Sequence, residues 1–229
     1  ISVRVALTPT GEHDLAAMAA AITERTRVIF ICTPNNPTGT IVHQRDLDLF
    51  MTKVPKNVLV VIDEAYIEFN RDAEAIDGLA SFNRYSNLGI LRTFSKAYGL
   101  AGLRVGYFVG PAAVAEAVKK TAVPFGVSSL AQAAAIASLD QEVELLDRVE
   151  SLVQLRNWFE SELTKLGFQL LPSQANFVWL ALGRRTDEFF QACNEVAVAV
   201  RPFTGEGVRI SIGEREALER LLPVCAKFL

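Results

Sequence analysis

Apolar residues in the first half of the chain fall into short, nearly unbroken runs. They are Val28 to Cys32, Val58 to Ile62, Leu88 to Leu91 and Val105 to Val109, with an earlier one from Val3 to Leu7. Such runs do not alternate with polar residues, so they predict strands covered by helices on both faces. Between them the apolar spacing becomes helical. Leu15, Met18, Ala19 and Ile22 mark a helix over Asp14 to Ile22. Leu47, Leu49, Phe50 and Val54 mark another over Arg45 to Val54, and Pro111 opens a third that runs to Lys120. Strands alternating with helices predict a parallel sheet.

The second half has a different rhythm. Ser128 to Leu139 reads as an alanine-rich buried helix. Gln141 to Leu166 reads as a long amphipathic helix stopped by Gly167. Short strands are expected at Phe177 to Leu180, Val196 to Arg201 and Val208 to Ile212, then a last helix from Glu214 to the end. The expected architecture is α/β: a mostly parallel sheet covered by helices, plus a smaller α+β C-terminal lobe. The boundary falls near residues 125–145. Residues 1–130 then form a large domain, and residues 131–229 a connecting helix with a small domain.

Composition narrows the function. Half of the 229 residues are hydrophobic and 21% are charged, with a net charge of −3, as in a soluble globular protein. No basic patch invites nucleic acid, and no apolar run is long enough for a membrane span. Cys32, Cys193 and Cys225 are widely spaced in apolar segments and read as reduced core cysteines of a cytoplasmic protein. No metal-binding spacing is present. His13 and His43 each precede a predicted helix and read as surface residues at helix starts.

Chemistry concentrates where three of the strands end. After Leu88 to Leu91 comes Arg92-Thr93-Phe94-Ser95-Lys96-Ala97-Tyr98-Gly99-Leu100-Ala101-Gly102-Leu103-Arg104. A lysine there can form a Schiff base with a carbonyl compound, and Thr93, Ser95 and Arg104 can hold a phosphate. One ligand carrying both groups is pyridoxal phosphate. After Val28 to Cys32 comes Thr33-Pro34-Asn35-Asn36-Pro37-Thr38-Gly39, where Asn36 offers an amide from an irregular turn. After Val58 to Ile62 comes Asp63-Glu64-Ala65-Tyr66. An aspartate ending a buried strand needs a cationic partner, and a pyridinium nitrogen would be one. Each motif alone has an ordinary explanation: a solvated lysine, a common turn, a helix-capping aspartate. Together they aim at the crevice outside the strand ends, where open α/β sheets bind ligands. In the second half, alternation sends Arg209 and Ser211 away from Val208, Ile210 and Ile212, and separates Arg201 from Val198 and Val200. A guanidinium suits a carboxylate, although an isolated arginine is more often in a surface ion pair.

These motifs, with Ser173-Gln174-Ala175-Asn176-Phe177 and Val208-Arg209-Ile210-Ser211, resemble the fold-type-I pyridoxal-phosphate aminotransferases. Within that superfamily the chain is similar to the histidinol-phosphate and aromatic amino-acid aminotransferase group. The resemblance implies that Lys96, Asp63 and Tyr66 are catalytic. It implies that Asn36, Thr93, Ser95 and Arg104 join them in binding pyridoxal phosphate. It places Arg209 on the substrate α-carboxylate, with Asn36 and Arg201 as further substrate contacts. It also implies a homodimer and a substantial portion before residue 1. That portion carries an aromatic residue stacking on the cofactor, a phosphate-binding loop and a tyrosine given to the neighbouring subunit. On this reading the chain is a C-terminal fragment of a cytoplasmic enzyme moving an amino group from a phenylalanine-like amino acid to an oxoacid such as oxoglutarate. Histidinol phosphate is the alternative substrate. A decarboxylase or lyase of the same fold, and an incompetent fragment keeping the fold core and dimer surface, are the other readings.

Overall fold

The computed structural model describes residues 1–229. The apolar runs form strands β1 (Val28–Cys32), β2 (Leu59–Asp63), β3 (Leu88–Thr93) and β4 (Gly106–Val109), which lie side by side in that order. The first three are parallel, and β4 runs antiparallel to β3. Cys32 pairs with Asp63, and Asp63 with Leu91, so the ends of the three parallel strands, and the motifs that follow them, are aligned. Helices α1 (Leu15–Ala20), α2 (Gln44–Met51), α3 (Gly78–Phe82) and α4 (Ala112–Thr121) accompany this sheet. The apolar stripe of α2, Leu47, Phe50 and Met51, packs with Ile29, Ile31, Val60, Ile62 and Leu88 in one core. Each such side chain contributes roughly 1.5–3 kcal/mol on burial.

The second half contains α5 (Ser129–Asp140), α6 (Glu142–Leu166), β5 (Phe177–Leu180), α7 (Thr186–Glu195), β6 (Arg201–Phe203), β7 (Gly207–Ser211) and α8 (Arg215–Cys225). Strand β7 lies between β5 and β6 and is antiparallel to both. Its own core includes Phe159, Leu163, Leu180, Phe189 and Leu221. Gly167 caps α6 with φ 116°, a conformation that glycine adopts without a Cβ penalty. A third cluster joins the two sheets: Tyr66, Phe69, Ala97, Val149, Val153, Ala175 and Phe177. No helix is long and apolar enough to cross a membrane.

Five expectations are corrected. Residues Val3 to Leu7 form no strand, only a single bridge from Leu7 to His13, because no neighbouring strand pairs with them. Cover on one face of the sheet stops short of the edge strand: Phe30 of β1 is 61% exposed and Val28 is exposed beside it, while Val61, the partner of Phe30 on β2, is buried. Helix α5 is not buried. Ala131 and Ala135 are inside, while Leu130 (68% exposed), Ile136 and Leu139 face out. The segment from Val196 to Arg201 opens on the cap of α7 and a turn with Ala197 at φ 54°, and the strand begins only at Arg201. His13 is half-buried, its Nε2 lying 3.0 Å from the Cys32 carbonyl, and burial lowers its pKa. Helix α7 had no sequence assignment; its buried Thr186, Phe189 and Cys193 lie at helical spacing.

Candidate active site

The site forms where the large sheet's strand ends meet the small sheet. The turn after β1 closes on itself. Asn35 Nδ2 donates to Thr38 Oγ1 at 2.8 Å, and both Thr38 and Thr40 hydroxyls donate to the Gly11 carbonyl. Gly39 has φ 79° and abuts Ser173, so only glycine fits there without displacing its neighbour. With Asn35 occupied internally, Asn36 is the amide left facing out. Its Oδ1 accepts a hydrogen bond from Arg209 Nη1 at 2.8 Å, across 173 positions of sequence.

Strand β7 sets Arg209 opposite Trp179 of β5 and opposite Arg201 of β6. Val208 and Ile210 are buried, as the alternation predicts, and Arg209 lies on the other side. Its guanidinium carbon stands 5.1 Å from the centre of the Phe177 ring, close enough for cation–π attraction. Its Nε is buried and has no acceptor. A buried charged donor without a partner is costly, and a ligand carboxylate would satisfy it.

Phe177 also meets Tyr66 edge to face at 5.1 Å, and Lys96 Nζ lies 5.4 Å from the centre of the Tyr66 ring. Lys96 itself is exposed. Burial raises the Tyr66 pKa, and the nearby Arg209 charge partly offsets that. Asp63 ends β2 half-buried. Desolvation raises its pKa, and the N–H of Ala65, 3.1 Å from Oδ1, is what opposes the shift. An acid so placed gains from a cationic ligand group. Thr93 Oγ1 accepts from the Ser95 N–H at 3.1 Å, which arches the Lys96 loop. Arg104 adopts φ 55° and its exposed guanidinium donates to the Ala101 carbonyl at 2.9 Å. Lys96, Asp63, Tyr66, Asn36 and Arg209 are thus gathered at one place. Thr93, Ser95 and Arg104 lie along the Lys96 loop, and Arg201 is the exposed cross-strand neighbour of Arg209.

Three groups at the site were not singled out from sequence. Glu64 is fully buried beneath the strand ends, paired with Arg92 Nε at 2.7 Å and accepting from the Gly78 N–H. Burial raises its pKa, and Arg92 works against that shift. Glu68 is pushed up to about 7 by burial, with one carboxylate oxygen lacking any donor. Arg156 of α6 is 3% exposed behind the Tyr66–Phe177 stack. Alternation places Glu64 on the face opposite Asp63, which was the one available signal.

The sequence matches the model of the family described as aminotransferase class I and II over residues 2–224. The chain belongs to the class I and II aminotransferases. It is 56% identical over 227 residues to a Streptomyces avermitilis protein named aromatic amino acid aminotransferase, covering 99% of this chain and 63% of that protein. A Streptomyces coelicolor protein of the same name is 57% identical, again over 99% and 63%. The chain therefore spans 63% of the length of these relatives. Among solved structures, histidinol-phosphate aminotransferase from Sinorhizobium meliloti in complex with pyridoxal-5'-phosphate superposes with a TM-score of 0.85. Its identity is 28%, over 99% of this chain and 64% of that one. The class I and II aminotransferase fold thus accounts for the sheet order and the second, smaller sheet.

Proposed function

We propose that this chain is the larger part of an aminotransferase that takes the amino group from an aromatic amino acid and gives it to an oxoacid such as oxoglutarate, using pyridoxal phosphate. The observation that carries the reading is the convergence of Lys96 and Arg209 on the Tyr66–Phe177 stack, with the Arg209 Nε buried and unpaired. Arg209 supplies a fixed fork for the α-carboxylate, and Asn36 fixes its orientation from the other side. The Lys96 amine, on a flexible stem beside that carboxylate site, is placed to take a proton from the substrate α-carbon and return it. Pyridoxal phosphate, when bound, supplies a carbonyl for amines and a protonated ring that withdraws electrons. The residues present suit it: Lys96 as covalent anchor, Asp63 at the ring nitrogen, Tyr66 and Asn36 at the ring oxygen, and Thr93, Ser95 and Arg104 at the phosphate.

The aromatic preference rests on relatives sharing 56–57% of their residues, against 28% for the histidinol-phosphate enzyme. One feature favours the second reading: Arg201 sits directly across from Arg209, so two guanidinium groups share one face and could serve a phosphate. An aromatic ring and a phosphate want opposite surroundings. Comparing kcat/KM for phenylalanine, tyrosine and histidinol phosphate on the full-length protein separates them. A preference for histidinol phosphate beyond about tenfold, roughly 1.4 kcal/mol, would overturn the aromatic reading. Borohydride reduction of the loaded protein followed by peptide mapping should label Lys96, and label on Lys119 or Lys120 instead would refute the anchor. The same reading makes the complete protein a cytoplasmic homodimer, supported by three free thiols and by exposed Val123, Phe125, Leu130, Ile136 and Val143.

A further inference from the structure

Arg156 is a cation in a place where cations are expensive. It lies just past the middle of α6, is 3% exposed, and burial lowers its pKa. Burying a guanidinium costs several kcal/mol unless its donors are satisfied. It has no ion pair. The nearest acid along its helix, Glu160, is half-buried and has the Ser173 N–H on its own carboxylate at 3.3 Å. Arg156 instead spends its N–H groups on neutral oxygens. Nη1 donates to the Phe69 carbonyl at 3.2 Å and to the Ala175 carbonyl at 3.0 Å. Nε and Nη2 both donate to Asn157 Oδ1, at 3.3 and 3.2 Å.

The two carbonyls lie in segments that adjoin different sheets. Phe69 closes the short turn that follows Tyr66, after the large sheet's β2. Ala175 lies two residues before Phe177, at the start of β5 in the small sheet. Tyr66 and Phe177, three and two residues along the chain from these carbonyls, touch edge to face, with Lys96 on one ring and Arg209 over the other. On α6, Val149, Leu152, Val153 and Arg156 form one helical stripe, whose apolar members pack into the cluster that joins the sheets. The stripe ends in a charged residue at the point where main chain from both sheets comes within reach.

We propose that Arg156 is a positioning residue: its guanidinium pins the main chain behind Tyr66 to the main chain behind Phe177, and so sets the spacing between Lys96 and Arg209. The inference rests on the aminotransferase reading and adds a residue that touches neither substrate nor cofactor. A planar fork can bridge two carbonyls while held by Asn157 on its other edge, whereas a lysine is a point charge on a flexible stem. Losing the bridge lets the two halves of the site drift, and the carboxylate grip suffers first, because it depends on the small sheet lying at a fixed distance from Lys96.

The test uses the full-length protein loaded with pyridoxal phosphate and normalised to folded active sites. Arg156→Met should raise KM for phenylalanine, and the calorimetric Kd for the unreactive carboxylates 3-phenylpropionate and succinate, by about tenfold or more, since a charge-assisted contact between Arg209 and the carboxylate is weakened. The turnover number should stay within about threefold, and Arg156→Lys should recover part of the loss. Asn157→Ala, an exposed position that folds whatever Arg156→Met does, should shift the same constants in the same direction by about two- to threefold. A fall in Tm with KM and both Kd values within about twofold of wild type would overturn the proposal and leave Arg156 a packing residue. Unchanged constants in Asn157→Ala would overturn it if Arg156→Met fails to fold. A wild-type protein that binds succinate yet rejects phenylalanine would instead overturn the aromatic reading, and the succinate affinities would still decide the role of Arg156.

Discussion

Burial raises the pKa of three acids around the site, Asp63, Glu64 and Glu68. Glu68 rises from the ordinary 4.5 to about 7, chiefly through desolvation, and one of its buried oxygens finds no donor. Between those two values the folded chain keeps a proton that the unfolded chain has released. Stability therefore falls as pH rises through that window, and the contribution present at acid pH is gone above about 7. Glu68→Gln should flatten this slope. Its melting temperature, compared with wild type, should be higher at about pH 8 and nearly equal at about pH 5. Asp63 is also raised by burial, but a ligand cation would reverse that shift. Asp63→Asn is accordingly expected to lower turnover more than cofactor affinity. Arg104→Ala should do the reverse, losing about 1.5–3 kcal/mol of phosphate binding. Cofactor titration and steady-state kinetics on both variants check the division, and equal effects on both constants in both variants would contradict it.

Two glycines show how an element's end governs the site. Gly167 stops α6 at φ 116°, and a Cβ there would meet only Leu229 Cδ2, at an ordinary contact distance of 3.6 Å. Gly167→Ala should cost about 1 kcal/mol of stability and leave kinetics alone. Gly39 at φ 79° also presses on Ser173, whose hydroxyl donates to the Phe177 carbonyl at 2.6 Å. Gly39→Ala should cost roughly 1–3 kcal/mol from strain and also raise KM, because moving Ser173 moves the ring beneath Arg209. Denaturant midpoints with KM for each variant test the contrast. Several elements are legible in the sequence to the residue: β1 spans Val28–Cys32 and β5 Phe177–Leu180 as their apolar runs indicate, and α6 ends at the glycine that caps it, whereas β2 and β7 are each displaced by one residue. The exposure of α5 is not legible, because alanine-rich sequence looks the same against a core and against water.

At the scale of the molecule, apolar surface remains uncovered. Val123 is 78% exposed and Phe125 fully so, and Leu130, Ile136 and Val143 follow in the same stretch. Exposed apolar area on this scale marks an interaction surface. The 229-residue chain by itself should self-associate with rising concentration in sedimentation velocity, and Leu130→Glu with Ile136→Glu should reduce that association without unfolding it. A monodisperse monomer at high concentration would argue against the homodimer.

The family and most of the elements are written in the sequence. Apolar runs gave the strands because burial is local in its pattern. The Lys96, Asp63 and Asn36 motifs could be placed together because parallel strands end on one side of a sheet. Only the tertiary structure decided what lies between the two sheets. The Asn36–Arg209 bond spans 173 positions, the Tyr66–Phe177 contact joins separate sheets, and Arg156 reaches carbonyls 87 and 19 residues away. No periodicity announces such partners. A buried arginine and a surface arginine have the same letters around them, and only the packed neighbours decide which donors are satisfied, which acids keep their protons and which guanidinium is left with an N–H to offer a ligand.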